Sequence, residues 1–360
     1  MAFKDGAYQP VEIDPTLAEH DAEGRPFWWD GSALDALEEL PSLLFVTEKF
    51  DDLDRLLDDW TKQEARAADG RWLLTTFPKA LDAQFKWRDG WARELDRINR
   101  WKAKSPKSVG AALAEAEYWL DYSLNARGAG YSDSVDKDGW RLFHERAQKA
   151  QQALLASESY ASDNPLWGLI YLQASPGLGW SHAEQMRLYR KLIAKHKNFY
   201  GYYFAMAQYF LPRWGGDWRL VELIAREAEE NNKDREGAGM YARVYWRASV
   251  YGGLDVNVFR DTPADWTHMR EGFEKIMSDF PYSAWNLNAY AMFACRAGDR
   301  PTFARLRKRI GDATEPDAWP TSLSLDLCEH KFPVGKQASP VEPTDGPIDG
   351  REPAPQRRGP

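Results

Sequence analysis

Apolar residues recur every three to four positions through most of this 360-residue chain, and no comparable run alternates with a period of two. That spacing lays an apolar stripe along one side of a helix, whereas a half-buried strand needs alternation. Phe50, Leu53, Leu57 and Trp60 mark one stripe, and Trp87, Trp91, Leu95 and Ile98 a second. Leu113, Ala116, Leu120 and Leu124 form a third; Trp140, Phe143, Ala147, Ala150 and Leu154 form a fourth. The pattern predicts an all-α fold without a sheet.

Turn residues say how the helices connect. Asn164-Pro165 and Asn198-Phe199 each open a helix rich in aromatic and small residues, 34 residues apart. That is the period of tetratricopeptide repeats, in which two antiparallel helices form one unit. The spacing predicts helix pairs over 165–174 with 181–195, 199–211 with 217–231, and 238–251 with 264–279. In the third pair Gly252-Gly253 makes the turn and Asp261-Thr262-Pro263 caps the second helix. A last pair starts at Pro281 and turns at Ala297-Gly298-Asp299-Arg300-Pro301, after which Phe303, Leu306 and Ile310 stripe its second helix. Short connections force antiparallel neighbours, so the expected architecture is stacked helical hairpins, a tetratricopeptide-like α-solenoid.

The ends differ in character. Residues 1–32 read as an irregular acidic arm with Pro10, Pro15 and Pro26, pinned to the body by Phe27-Trp28-Trp29. An N-terminal helical region over 33–160 and hairpins over 161–332 follow. Residues 331–360 hold seven prolines and four glycines, and no aromatic follows Phe332. Such a segment buries too little surface to offset its ordering entropy, so 333–360 is expected to be a disordered tail. Its Pro340-Val341-Glu342-Pro343 run has PxxP spacing, a weak pattern in a plain Pro-rich tail.

The net charge of −8 argues against nucleic acid or an anionic membrane surface as the main partner. Residues 1–60 carry a net −12, which leaves +4 on the rest. The acidic segment is either a solvated arm or one that lies against the body or a basic partner. Two cysteines, Cys295 and Cys328, suit a reducing compartment better than a disulfide scaffold. No signal-peptide-like or membrane-spanning apolar run is present, so the expected location is cytoplasmic.

Two local runs interrupt the helical background. Ala126-Arg127-Gly128-Ala129-Gly130-Tyr131 ends a long helix, where a glycine closes the last turn and Arg127 complements its dipole. Pro212-Arg213-Trp214-Gly215-Gly216-Asp217-Trp218 joins two helices: proline stops the first, the glycines turn the chain, and Asp217 caps the second. A structural role explains both runs; the sharper alternative makes Arg127 and Arg213 a paired anion site. Neither run has the trailing Lys-Ser/Thr of a phosphate-binding loop.

The Arg127-Gly128-Ala129-Gly130 run after an Ala/Leu-rich helix with Trp119, then Trp140 and Phe143, then Arg213-Trp214-Gly215-Gly216 after a Tyr-rich helix, resembles a bacterial family catalogued as domain of unknown function 4034. The resemblance spans about residues 45–320 and implies a helical, repeat-like fold. It implies no activity and brings no catalytic residues with it.

Catalytic motifs are not evident. The six histidines (His20, His144, His182, His196, His268 and His330) make no metal-binding pair, and the cysteines stand 33 residues apart without companion ligands. Acid pairs such as Glu115/Glu117 and Asp51/Asp54 fit solvated helix faces. An enzymatic alternative remains: hairpins closed into an (α/α) glycan-binding or glycan-processing barrel, with Glu117 or Asp121 beside Trp119 and Tyr122 in a central cleft. The favoured reading is a non-catalytic protein–protein interaction scaffold, without cofactor, metal, nucleic acid or membrane. Its expected binding residues are Arg127, Tyr131, Arg213, Trp214, Tyr203 and Trp246, with Gly128, Gly130, Gly215 and Gly216 shaping turns. The 14% aromatic content feeds this reading, because Trp167, Tyr171, Tyr200, Tyr202, Tyr203, Tyr209, Tyr241, Tyr245, Trp246, Trp285 and Tyr290 crowd the helices that open the hairpins. Those rings either anchor a partner or fill the core.

Overall fold

In the computed structural model the stripes become helices wherever a cap and a turn bound them. The structure describes residues 39–87, 90–128, 130, 132–253 and 256–333, and four two-residue strands nearer the N-terminus. These strands pair antiparallel, β1 (Phe3–Lys4) with β2 (Ala7–Tyr8) and β3 (Glu19–His20) with β4 (Pro26–Phe27). Trp28, Trp29, Tyr131 and the Pro-rich segment from 334 onward, with its PxxP run, lie outside the described residues.

The first half is a helical array built on one long antiparallel pair. Residues 39–46 are helical (α1), and α2 (Phe50–Lys62), α3 (Thr76–Lys86) and α4 (Trp91–Lys104) follow. The pair itself is α5 (Val109–Arg127) and α6 (Lys137–Ala161). Asp54 on α2 ties this region together, accepting from Trp101 Nε1 at 3.2 Å, Ser108 Oγ at 2.7 Å and the Gly110 amide at 3.1 Å. Two stripe positions depart from expectation. Trp87 falls past the end of α3 and is 55% exposed, so its stripe begins only at Trp91. Leu124 is 42% exposed, near the end of α5.

Four hairpins follow: α7 (Pro165–Ala174) with α8 (His182–Lys195), and α9 (Tyr200–Tyr209) with α10 (Trp218–Asn231). Then come α11 (Ala238–Tyr251) with α13 (Trp266–Asp279), and α14 (Ala284–Ala297) with α15 (Arg300–Ile310). Between α11 and α13 sits a one-turn helix, α12 (Val258–Asp261), capped by Asn257. The caps explain most boundaries. Asn164, Ser181, Asp217 and Asp299 each accept a first-turn amide, and Ser181 with Glu184 forms a full capping box. The third hairpin's cap is Asp265 rather than the 261–263 run, and the fourth hairpin starts at Ala284 under a Ser283 cap rather than at Pro281.

Hydroxyl-to-carboxylate bonds latch neighbouring helices. Tyr189 on α8 donates to Glu227 on α10 at 3.1 Å, and Tyr241 and Tyr245 on α11 both donate to Glu222 on α10 at 3.0 and 2.6 Å. Tyr290 on α14 donates to Glu274 on α13 at 2.6 Å. The large rings thus fill the core while each hydroxyl stays satisfied. The buried apolar cluster runs unbroken from Leu40 to Cys328.

After α15 the chain returns across α14. Trp319 Nε1 donates to Asn288 Oδ1 at 3.0 Å, and α16 (Leu325–Lys331) ends with Lys331 donating to the Cys295 carbonyl at 3.2 Å. Cys328 on α16 is joined to Cys295 on α14 by a disulfide. The sequence, with only two cysteines, pointed away from a disulfide scaffold, yet these two are joined, because the chain's return across α14 brings positions 33 residues apart together. The bridge closes a loop of 33 residues, and loop-closure entropy assigns such a crosslink about 3–4 kcal/mol. The double variant Cys295→Ala/Cys328→Ala is therefore expected to melt about 5–10 °C lower than the parent by calorimetry. A melting point within a degree of the parent would show that hydrophobic packing alone holds α16. No described helix is long and apolar enough to cross a membrane.

Candidate functional site

Most of the rings that crowd α7, α9, α11 and α14 are not accessible. Tyr203 is fully buried and donates to the Lys197 carbonyl at 2.7 Å, and burial pushes its hydroxyl up to about 12. Tyr202 donates to the Pro165 carbonyl at 2.9 Å and Tyr209 to the Gln173 carbonyl at 3.1 Å. Trp167, Tyr171, Tyr200, Tyr241, Tyr245 and Tyr290 are buried as well. For all of these, core filling is the role the geometry gives. Tyr203 in particular offers nothing to a ligand, because its ring and its hydroxyl are both used inside the fold.

Part of the α9–α11–α14 face is covered by the chain itself. The loop between α2 and α3 lies on it: Trp72 Nε1 donates to the Asn198 carbonyl at 3.1 Å, and Glu64 pairs with Arg235. Arg66 packs between the Trp72 and Tyr200 rings, 4.1 and 4.3 Å from their centroids, and burial lowers it to about 10. At the loop's tip the Asp69 carbonyl accepts from Arg243 Nη2 at 2.8 Å and from Asn286 Nδ2 at 3.1 Å. Arg243 is itself held by Glu236 at 2.9 Å, both side chains being less than a tenth exposed. Gly70 adopts φ +87°, and a Cβ there would meet Arg243 and Phe280 at 2.5 Å. Only glycine lets the tip approach this closely.

Beyond the loop, two half-buried rings remain on that face. Trp246 on α11 and Trp285 on α14 stack with centroids 6.3 Å apart and planes 18° apart. Cations bracket them. Arg71 stands 6.0 Å over Trp285, while Arg296 stands 5.7 Å from Phe293, whose ring is 6.4 Å from Trp246. Arg247 is exposed and lies 4.5 Å over Tyr251. Desolvation by the surrounding protein lowers both Arg247 and Arg296, and nearby Arg71 lowers Arg247 further. Among the described residues neither has a carboxylate partner. Trp246 was legible as a candidate in the sequence; Arg247 and Arg296 were not, because a lone arginine on a helix reads as solvated.

The two glycine-flanked runs meet in space. Arg127 Cζ is 4.8 Å from the Trp214 ring and 5.9 Å from Trp140, and Arg213 Cζ is 5.9 Å from the same Trp214 ring. Their glycines divide into two kinds. Gly128 and Gly215 take φ +71° and +80°, as helix- and turn-closing glycines do. Gly130 and Gly216 stay outside that region, and Gly216 is instead required by contact, since a Cβ there would lie 2.1 Å from the Phe210 carbonyl oxygen. An open cavity of about 640 Å³ lies beside the second run, lined by Gly216, Trp218, Arg219, Arg260 and Asp261 among others. Its arginines are already paired, Arg219 with Asp217 and Arg260 with Asp261.

Glu117 and Asp121, the acids of the enzymatic alternative, sit inside the helical array. Both are buried, facing Asp82 and Lys86 of α3, and Tyr209 on α9 lies close to Glu117. Burial raises Glu117 to about 8 and Asp121 well above the usual carboxylate range, each helped by its acidic neighbours. A neutral carboxylic acid at neutral pH is a feature of general acids; the cavity beside Gly216 is lined by other residues. No group of three His, Cys, Asp or Glu side chains suited to a metal occurs among the described residues.

Neither the curated proteins nor the solved structures hold a match to the chain. A family model does match, over residues 36–164. It takes in the first six helices, Arg127 and Trp140, and leaves out the hairpins and the Arg213-Trp214-Gly215-Gly216 run that the resemblance was expected to reach. Over residues 36–164, about a third of its length, the chain is similar to the family described as Domain of unknown function (DUF4034).

Proposed function

We propose that this chain is a non-catalytic helical-repeat protein that holds an acidic segment of a partner protein on the α11–α14 face. The observation that carries the reading is the half-buried Trp246–Trp285 stack, with the desolvated Arg296 beside Phe293 at one end and Arg247 on the same helix as Trp246, neither arginine having a carboxylate partner among the described residues. Removing a guanidinium from water without a counter-charge costs free energy, and a partner's carboxylate recovers it. Tryptophan and arginine are also the side chains that concentrate binding energy at interfaces. The same face already holds an extended piece of chain, the α2–α3 loop, through side-chain bonds to backbone carbonyls.

An immobilised set of acidic peptides tests this, and it includes the protein's own residues 1–38, which carry nine acidic and two basic side chains. The wild type is expected to retain a subset of the peptides in a salt-sensitive way. Trp246→Ala and the double variant Arg247→Ala/Arg296→Ala are each expected to weaken that binding tenfold or more, with melting temperatures close to the parent. Retention unchanged in the double variant, or no acidic peptide retained by the wild type, would end the proposal.

A further inference from the structure

We propose that the Arg127–Trp214–Arg213 cluster is a binding site for a phosphate-type oxyanion, free or carried as a monoester. The two arginines are 86 positions apart in sequence, on different connections of the fold, yet both guanidiniums lie against one indole. Trp140, in the first turn of α6, closes the other side of Arg127. The order is ring, cation, ring, cation, with Arg127 set between two indoles and Arg213 on the outer side of Trp214; a planar guanidinium fork suits a tetrahedral oxyanion.

Structural duty accounts for only part of Arg127. Its Nη1 donates to the Gly128 and Gly130 carbonyls at 3.0 and 3.1 Å, which closes the end of α5. Its Nε is buried and has no acceptor. No carboxylate pairs with Arg127 among the described residues, and burial first, then the neighbouring Arg213, push its guanidinium toward the neutral form. An anion bound at Arg127 would supply the acceptor that its buried Nε lacks and offset the cost of burying its charge. There is also room. At Gly128 and Gly215, which flank the two arginines, nothing lies within 4 Å of where a Cβ would be. This site is separate from the α11–α14 face, so the two proposals stand or fall independently.

The test is thermal melting of the full chain titrated with inorganic phosphate, against sodium chloride at matched ionic strength. At tenfold above half-saturation the wild type is expected to gain about 2–4 °C, saturably, with no such gain in chloride. A phosphoserine peptide in parallel distinguishes the sources: tighter binding than free phosphate assigns a monoester, and weaker binding assigns the free ion. Arg213→Ala changes an exposed side chain, so it should fold normally and lose the phosphate effect. Arg127→Lys keeps the charge, loses the fork, and should weaken the effect severalfold. Stabilisation that persists in Arg213→Ala, or no saturable response to either probe in the wild type, overturns the proposal.

Discussion

Arg243→Ala is expected to cost about 3 kcal/mol of stability in urea denaturation, because it leaves a buried Glu236 with only the longer 3.9 Å pairing to Arg66 and frees the tip of the α2–α3 loop. The guanidinium bonds Glu236 at 2.9 Å and the Asp69 carbonyl at 2.8 Å, and lies 5.4 Å from the Phe280 ring. Glu236 is 6% exposed, so its charge cannot recover hydration when the partner leaves. Arg243→Lys should lose most of the same stability, since one ammonium on a flexible stem does not replace a fork that serves two acceptors. The diagnostic comparison is Arg243→Met with Glu236→Leu, which removes both charges and should cost less than Arg243→Ala alone. A double change as damaging as the single would place the energy in packing against Phe280 and Tyr200 instead. An Arg243→Ala loss below 1 kcal/mol would mean that the loop does not depend on this contact.

That loop also marks where the sequence stopped being legible. The hairpins could be read because each boundary is local: Asn164 caps α7, the Gly215 turn and Asp217 set the start of α10, and Gly298 at φ +80° ends α14. Asp265 was missed because Asp261-Thr262-Pro263 offers the same chemistry four residues earlier. Leu124 and Trp87 satisfy a 3.6-residue period yet lie where the period has no partner helix to meet. The α2–α3 loop has no period at all. Its anchors, Arg235, Arg243 and Asn286, are 171, 174 and 217 positions from their partners. The site divides in the same way. Positive φ at Gly128 and Gly215 followed from their neighbours, while the meeting of Arg127 with Arg213 depends on how α5 and α6 pack on α7 and α7 on α9. Eleven rings looked like surplus because composition counts rings and not hydroxyl partners; Glu222, Glu274 and the Pro165, Lys197 and Gln173 carbonyls are among those partners, and Trp246 and Trp285 remain as the half-buried pair.

The buried acids of α5 give the second large effect, and it depends on pH. Glu117 is raised to about 8 in the folded protein, first by burial and then by Asp82, with Lys86 opposing; Asp121 is raised by burial and by Glu117 and Asp82. Tyr209 of α9 supplies a neighbouring hydroxyl, not a counter-charge. The unfolded chain ionises Glu117 near its ordinary value of 4.5, so folding takes up a proton between that pH and about 8. Stability is therefore undiminished below 4.5, falls as pH rises toward 8, and levels off above it, for a total of a few kcal/mol shared by the coupled pair. Glu117→Gln keeps the shape and removes the ionisation. It is expected to stabilise the protein by about 1–3 kcal/mol at pH 8.5, to do little at pH 5, and to flatten the slope between them; Asp121→Asn should act in the same direction. Melting curves from pH 5 to 9 on the parent and both variants decide it. A parent that is more stable at pH 8.5 than at pH 6, or a Glu117→Gln protein destabilised equally at every pH, would show that the Glu117 carboxyl is held ionised by contacts that outweigh its burial.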